Sequence, residues 1–240
     1  HIPADGRFDV RLWDVQIDPA KDIDKADVYL FSGINQDCGF LLEINADLKR
    51  RFPNSVSCIG GPIAWSFDQA GSLEQLSPFD HVCIGHGEAL IEGLLEKIRT
   101  GVALEHVIRA DEAFAIGDSK AMDFSLLDDV RAYYGGVIEV ARGCPFLCEF
   151  CDIRVMRDNN RTHAKPPALI VEELDWYARQ GVQQVLFACD NFIGDLPWAE
   201  ALVDAIIAWR ERTGRSVGLY TWLTINLHRH PELMRKMRVA

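Results

Sequence analysis

The chain is short of basic residues and has no long apolar run. Among its 240 residues, 25 Lys and Arg stand against 36 Asp and Glu, which gives a net charge of −11. An acidic balance of this size argues against nucleic acid or an anionic membrane as the main partner. No apolar stretch approaches the roughly 20 residues that cross a bilayer, and the opening residues lack the pattern of a signal peptide. We therefore expect no nucleic-acid partner and no membrane span.

The cysteines do not form the pattern of a disulfide framework. They are seven, an odd number, and three of them lie close together in one short stretch. This usage favours a reduced, cytoplasmic protein with a metal-binding loop. The remaining four are scattered through strand-like or small-residue contexts: Cys38, Cys58, Cys83 and Cys189.

Both ends of the sequence fall next to predicted structure. His1 stands just before a strand-like run and is not a start methionine, and Ala240 interrupts a helical pattern that begins at Pro231. These features predict a chain truncated at both ends. The 48% of hydrophobic residues suffices for the core of one large domain or two modest ones.

Strands and helices alternate in the first half. Strands are predicted at 10–15, 27–32, 56–59 and 80–84, with an edge strand at 102–107. Apolar residues at helical spacing predict helices after the second and fourth strands. Such repeats indicate a doubly wound, Rossmann-like parallel sheet over residues 1–109. Glycine-containing loops follow three strands at their carboxyl ends, where these sheets bind ligands. Their candidate binding residues are Ser32, Gly33, Gly60, Gly61, Pro62, Gly85, His86, Gly87 and Glu88.

The alternation restarts in the second half. Residues 110–134, rich in Asp, Ala and Ser, are predicted to be a linker. The second half, 135–240, is expected to form the first βα units of a TIM-type barrel, so the fold class is α/β. Its strands are predicted at 136–140, 182–188 and 217–225, and its helices at 166–180 and 197–212.

Cys144, Cys148 and Cys151 form a Cys-x3-Cys-x2-Cys run directly after an apolar strand. Three thiolates on one loop can hold three irons of a [4Fe–4S] cluster and leave the fourth iron open, whereas electron-carrier clusters normally have four cysteine ligands. A zinc site is the alternative if Cys189 or His163 supplies a fourth ligand. The three cysteines could also belong to an electron carrier or be unliganded residues of the core.

This spacing, with Phe150 before the last cysteine, resembles the signature of the radical S-adenosylmethionine (SAM) enzymes. The resemblance implies that the three cysteines are the catalytic cluster ligands and that the open iron binds SAM. In that family, a single electron from an external reductant cleaves SAM to a 5′-deoxyadenosyl radical, and the resemblance implies the same here. Phe150 lies where the family's aromatic residue lines the adenine. Asp190 and Asn191 follow the second barrel strand, at the place of the family's SAM amino-group motif, although Ala188 and Cys189 replace its glycines.

Charged residues flank the cysteine loop. Glu139 and Arg142 precede it and are candidates to tune it. Arg154, Arg157 and His163 follow it and are candidates to close over the site, with solvated surface charge as the alternative for at least two of them.

The first half resembles the cobalamin-binding domain that precedes many radical SAM domains, through the small-residue loops named above. Small residues there let the backbone approach the corrin ring and its nucleotide tail. The loop at 33–39 has no histidine, so the resemblance implies cobalamin without a histidine lower ligand. Asn35, Gln36 or Asp37 are candidates near the lower face, and His86 for a tail or backbone contact. The alternative is a flavodoxin-like domain with a structural or nucleotide-binding role.

Together the two resemblances imply a cobalamin-dependent radical SAM methyltransferase. It would methylate an unactivated carbon of a small molecule or peptide, using a [4Fe–4S] cluster, SAM and methylcobalamin, and its cofactors would carry the chemistry. The first alternative is ring formation or rearrangement with the same cofactors and no methyl transfer. The second is a non-catalytic iron–sulfur or cofactor-binding module.

Overall fold

The computed structural model describes residues 2–3, 5–15, 17–110, 114–127, 129–151, 153 and 159–240. The chain divides into two compact units, His1–Phe114 and Ala115–Ala240. Both are built on parallel sheets with connecting helices, which confirms the predicted α/β class. No helix within the described ranges is both long and apolar enough to cross a membrane.

The first unit contains a four-stranded parallel sheet in the order β1-β2-β3-β4. Because all four strands run the same way, their carboxyl ends share one edge, and Ser32 pairs with Gly60 there. The strands are β1 (Val28–Ser32), β2 (Val56–Gly60), β3 (His81–Ile84) and β4 (Val107–Arg109).

Three helices connect these strands: α1 (Cys38–Arg51), α2 (Pro62–Gln69) and α3 (Gly87–Arg99). Helix α1 buries Leu41, Ile44 and Leu48, whose spacing of three and four residues places them on one face. Pro62 occupies the first turn of α2, where its missing N–H costs no helical bond. The shared core of the unit consists of Leu41, Ile59, Ile63, Ala64, Leu76, Phe79, Val82 and Ile84.

The first unit differs from expectation in three places. The strand predicted at 10–15 does not form, and Leu12, one of the apolar residues behind that prediction, is half exposed. The edge strand β4 begins only at Val107, where the prediction for 102–107 ends. Helix α2 was not predicted at all. The described strands also run in sequential order, so the reversal of order that a doubly wound sheet shows is not seen among them.

The second unit contains a parallel sheet in the order β5-β8-β9, flanked by a short antiparallel pair, β6 with β7. The strands are β5 (Gly136–Glu139), β6 (Ala141–Arg142), β7 (His163–Ala164), β8 (Gln184–Ala188) and β9 (Gly218–Thr221). The helices are α4 (Pro167–Arg179), α5 (Leu196–Thr213) and α6 (Pro231–Val239).

The helices bury one face of this sheet. Ile138, Val185 and Phe187 point into the core, which also holds Trp209 of α5. The opposite face carries Val137, which is about half exposed. A cavity of about 440 Å³ lies at the amino ends of β8 and β9, away from the strand ends where barrel enzymes keep their reactive groups.

Part of the segment predicted as a linker belongs to the second unit. From Ala115 on, the chain packs within this unit, and Phe124 and Val130 are buried in its core. The backbone N–H of Met122 donates to Glu173 Oε1 on α4 (3.1 Å). Apolar residues scattered through a polar stretch thus anchor it to α4.

Candidate functional site

The cysteine loop leaves the sheet through a narrow neck. Arg142 of β6 pairs with His163 of β7, so the segment between them starts and ends at neighbouring positions. Gly143 opens the loop with a φ of +82°, and a Cβ there would overlap the carbonyl oxygen of Arg161. The close approach of two backbones explains why glycine stands before Cys144.

The three loop cysteines are free thiols in the structure. Cys144 and Cys151 are partly buried and Cys148 is exposed, as is Phe150, whose side chain is 93% accessible. The Cys151 N–H donates to the Cys148 carbonyl (3.2 Å), which turns the loop between them. Within the described residues no three Cys, His, Asp or Glu side chains converge on a point that could hold a metal ion.

The loop after β8 contacts the start of the cysteine loop. Asp190 Oδ2 accepts the backbone N–H of Gly143 (2.6 Å), and Asn191 Nδ2 donates to Cys144 Sγ (3.8 Å). Burial raises the pKa of Asp190, partly offset by the bond from Gly143, while the nearby Glu139 carboxylate raises it further. Sequence reasoning placed Asp190 and Asn191 at this edge of the sheet but did not predict their bonds to Gly143 and Cys144.

Asn191 is almost completely buried, with 1% of its surface accessible. Its Oδ1 accepts the backbone N–H groups of Ile193 (3.4 Å) and Thr224 (3.3 Å). The side chain therefore links the loop after β8 to the segment after β9. Nothing in the sequence signals these bonds, because they depend on backbone positions that only the fold brings together.

The two candidates for a fourth zinc ligand have other partners. Cys189 Sγ lies 3.3 Å from Thr221 Oγ1 and donates to the Trp222 carbonyl (3.8 Å). Burial raises the pKa of Cys189 to about 11, which favours the neutral thiol over the thiolate that a metal needs. His163 Nε2 accepts from Arg161 (3.4 Å).

The charged residues around the loop are only partly described. Arg142 donates to both carboxylate oxygens of Glu139, at 2.5 and 2.9 Å, so these two flanking residues form an ion pair with each other. Arg154 and Arg157 lie outside the described residues.

In the first unit, the predicted small-residue loops meet at the carboxyl edge of the sheet. The Ile63 N–H donates to the Gly33 carbonyl (3.1 Å), which joins the loops after β1 and β2. A Cβ on Gly61, whose φ is +77°, would lie 2.5 Å from Ser32 Oγ. Close approach within the protein therefore already requires glycine at this position. A Cβ on Gly87, at the start of α3, would meet only open space.

The same edge exposes both polar and apolar groups. Ser32, Gly61, Pro62, Gly85 and Gly87 are exposed, while Gly33, Gly60, His86 and Glu88 are partly buried. Asp37 accepts the Ile34 N–H (2.9 Å), so it stabilises its own turn, whereas Asn35 and Gln36 are exposed. Ile34 and Phe40 are each about half exposed beside them. The edge is thus an open surface with apolar side chains next to glycine backbone.

These features define an α/β protein with three free thiols on a loop at the carboxyl end of a parallel strand. Residues 138–240 match the model of the Radical SAM superfamily. The family resemblance stated from Cys144, Cys148, Phe150 and Cys151 is thereby confirmed.

Two curated relatives extend the comparison. Over 115 residues the chain is 36% identical to the hopanoid C-2 methylase of Rhodopseudomonas palustris. This alignment covers 48% of this chain and 22% of the relative. Over 195 residues it is 28% identical to the cobalamin-dependent radical SAM methyltransferase TokK of Streptomyces tokunonensis, covering 66% of this chain and 27% of the relative. The chain therefore spans about a quarter of the length of these two relatives.

The fold is also similar to solved structures of TsrM, a radical SAM methyltransferase from Kitasatospora setae. One structure contains tryptophan and a SAM analogue, and the other contains cobalamin and a [4Fe–4S] cluster. The TM-scores are 0.62 and 0.61 at 16% identity, with 81% and 82% of this chain covered and 42% and 43% of TsrM. At this identity the similarity concerns the fold.

Proposed function

We propose that this chain is the cofactor-binding part of a cobalamin-dependent radical SAM methyltransferase. It would methylate an unactivated carbon of a small molecule or peptide. The observation that carries the proposal is the loop of three free thiols, whose first cysteine is held by the loop after β8. The names of the relatives support methyl transfer as the reaction.

The donor set of the cysteine loop fits an iron–sulfur cluster. Cys144, Cys148 and Cys151 are proposed as the cluster ligands, since thiolates are the usual protein ligands of such clusters. The Asn191 N–H gives the Cys144 sulfur a donor of the kind that cluster sulfurs accept. When bound, the cluster supplies one-electron cleavage of SAM, and cobalamin supplies the methyl group.

Three further residues are proposed to hold SAM. The exposed ring of Phe150 offers a face for the adenine, since aromatic rings stack on nucleobases. Asp190 and Asn191 are proposed at the amino-group end of SAM, because they lie against Gly143 and Cys144. Asp190 uses Oδ2 for the Gly143 N–H, and its other oxygen is proposed to accept the SAM ammonium group.

The first unit is proposed as the cobalamin-binding domain, with a Rossmann-like fold over residues 1–109. Its open sheet edge fits a large flat ligand, because apolar side chains adjoin backbone that Gly87 leaves uncovered. The proposed contacts are Ser32, Gly33, Gly60, Gly61, Pro62, Gly85, His86, Gly87 and Glu88.

The second unit is proposed as the start of a TIM-type radical SAM barrel over residues 135–240. Its three parallel strands support this, since helices cover one face of the sheet and the opposite face, with Val137 half exposed, is open as in an incomplete barrel. We also propose that the protein is cytoplasmic, which its seven free thiols support. Its electrons are proposed to come from an external one-electron reductant.

The test is anaerobic reconstitution of the full chain with iron, sulfide and hydroxocobalamin, followed by absorbance and EPR spectra before and after SAM. We expect a cluster signal that changes with SAM and cobalamin bands that survive desalting. Turnover mixtures should contain S-adenosylhomocysteine. A cluster indifferent to SAM would point to a cofactor-binding module. A rearranged product of unchanged carbon count would point to ring formation.

A matched pair of variants tests the cobalamin site. Gly87 and Gly93 both lie in α3, both are exposed, and a Cβ on either meets open space. Gly87→Leu should abolish cobalamin retention, because the side chain would project from the amino end of α3 at the sheet edge. Gly93→Leu should leave retention unchanged. Equal retention by both variants would remove this edge as the binding site.

A further inference from the structure

We propose that Asn191 is a positioning residue that donates an N–H to Cys144 Sγ and thereby raises the reduction potential of the cluster held by Cys144. The inference rests on the proposed function, since it needs Cys144 as a cluster ligand. It adds a second role to the loop after β8: besides the place at the amino-group end of SAM proposed for Asp190 and Asn191, the Asn191 N–H acts on the Cys144 sulfur.

The hydrogen-bond network fixes which end of the Asn191 amide faces the sulfur. The oxygen and nitrogen of such an amide are assigned from their partners. Ile193 and Thr224 each direct a backbone N–H at the same atom, which must therefore be the acceptor oxygen. The other atom, 3.8 Å from Cys144 Sγ, is the NH₂ group. If the amide were flipped, its NH₂ group would face the N–H groups of Ile193 and Thr224, and neither backbone donor would have an acceptor.

The donor is also held rigidly. Asn191 is 1% accessible, and the next residue, Phe192, donates its backbone N–H to the Trp222 carbonyl (2.9 Å). One residue earlier, Asp190 holds the Gly143 N–H at 2.6 Å. The loop after β8 thus forms hydrogen bonds with two adjacent residues, with the backbone N–H of Gly143 and with the sulfur of Cys144.

A buried N–H next to a ligand sulfur stabilises negative charge on that sulfur. Reduction adds one electron to the cluster, so the reduced state gains more from the donor than the oxidised state. The Asn191 N–H therefore raises the potential. Its removal should make the cluster harder to reduce, without any contact between Asn191 and substrate.

Two variants remove the donor in different ways. Asn191→Asp keeps an oxygen for Ile193 and Thr224 but directs the second oxygen at Cys144. Asn191→Ser replaces the amide by a hydroxyl on a shorter side chain, which adds no charge and does not reach the sulfur. Asn226→Asp is the charge control, because it adds the same charge in the same unit at a residue outside both the cysteine loop and the loop after β8.

The measurement is a redox titration of the reconstituted full chain, followed by the EPR signal of the reduced cluster. We expect Asn191→Ser to shift the reduction equilibrium about tenfold toward the oxidised cluster, which is about 59 mV for one electron, and Asn191→Asp to shift it further in the same direction. Asn226→Asp should titrate like wild type. If N191D does not accumulate as folded protein, N191S carries the same test.

Three other results would overturn the inference. A wild-type chain that assembles no cluster would refute it together with the proposed function. A wild-type cluster whose potential is unchanged in both Asn191 variants would refute the inference alone. A shift in N191D that N191S does not share would trace the effect to added charge, which also removes the role of the N–H donor.

Discussion

The buried ion pair between Lys165 and Glu173 provides a sharp test of how the second unit is held together. Lys165 Nζ lies 3.1 and 3.0 Å from the two carboxylate oxygens of Glu173, and the side chains are 4% and 0% accessible. Lys165 also donates its N–H to the Val140 carbonyl, and its own carbonyl accepts the Trp198 indole N–H (2.8 Å). The pair thus joins α4 to the residue after β7, which in turn bonds Val140 between β5 and β6.

The substitution Lys165→Met removes the charge and keeps a side chain of similar length. The Glu173 carboxylate then stays buried with only the Met122 N–H as a described partner. Breaking a buried pair in this way costs about 3–5 kcal/mol. At about 2–4 °C per kcal/mol for a chain of this size, the melting temperature should fall by about 6–20 °C.

The double variant Lys165→Met, Glu173→Met should be less destabilised than Lys165→Met alone. No charge remains buried, and the main loss is the acceptor for Met122, about 1–3 kcal/mol. Arg179→Met is the control, since its exposed pair with Asp175 on the same helix contributes about 0.3–0.5 kcal/mol. Denaturant unfolding followed by tryptophan fluorescence measures all three. If K165M costs no more than R179M, the reasoning about this pair is refuted.

Three further outcomes follow from the site and the first unit. Gly143→Ala should lower bound iron and the unfolding midpoint, because its Cβ overlaps the Arg161 carbonyl; iron content equal to wild type would contradict this. Cys189→Ser should retain its iron, since burial raises the pKa of the Cys189 thiol to about 11; loss of iron would restore Cys189 as a ligand. Burial alone would raise the pKa of Asp80, but the bonds from Lys49 and Ser57 lower it overall. The stability that the Asp80 carboxylate gives the fold is therefore present above pH 3.8 and lost as pH falls through the folded pKa. Asp80→Asn should therefore weaken the acid sensitivity of unfolding below about pH 4, and an unchanged acid profile would contradict this.

Much of the fold is predictable because local patterns and tertiary packing agree. The strands at Val56–Gly60 and Gln184–Ala188 combine apolar runs with glycine or polar ends, and the structure confirms them. The run at 10–15 has the same local pattern but pairs with no strand among the described residues, because strand formation depends on tertiary contacts as well as on the local pattern. Helix α2 was missed although Pro62 at its start and the apolar Ile63 and Ala64 behind it are typical helix signals.

The candidate site is predictable in its residues and less so in its contacts. The spacing of Cys144, Cys148 and Cys151 identifies the loop, and the ends of parallel strands place Asp190 and Asn191 nearby. The bonds from these two side chains depend on loop backbone that carries no sequence signature. The assignment of each residue to cluster, SAM or cobalamin stays a prediction until the reconstituted chain is measured.

The short ladder between β6 and β7 bears on how a cluster would be delivered. Its residue pairs, Ala141 with Ala164 and Arg142 with His163, join the two ends of the loop through backbone contacts that involve none of the three cysteines. Pairing of β6 with β7 therefore already includes the entropic cost of bringing the loop ends together, a cost that grows with loop length. The three thiols therefore lie on a loop whose two ends are tethered to each other by the ladder. Opening this ladder should slow cluster loading even with every cysteine in place.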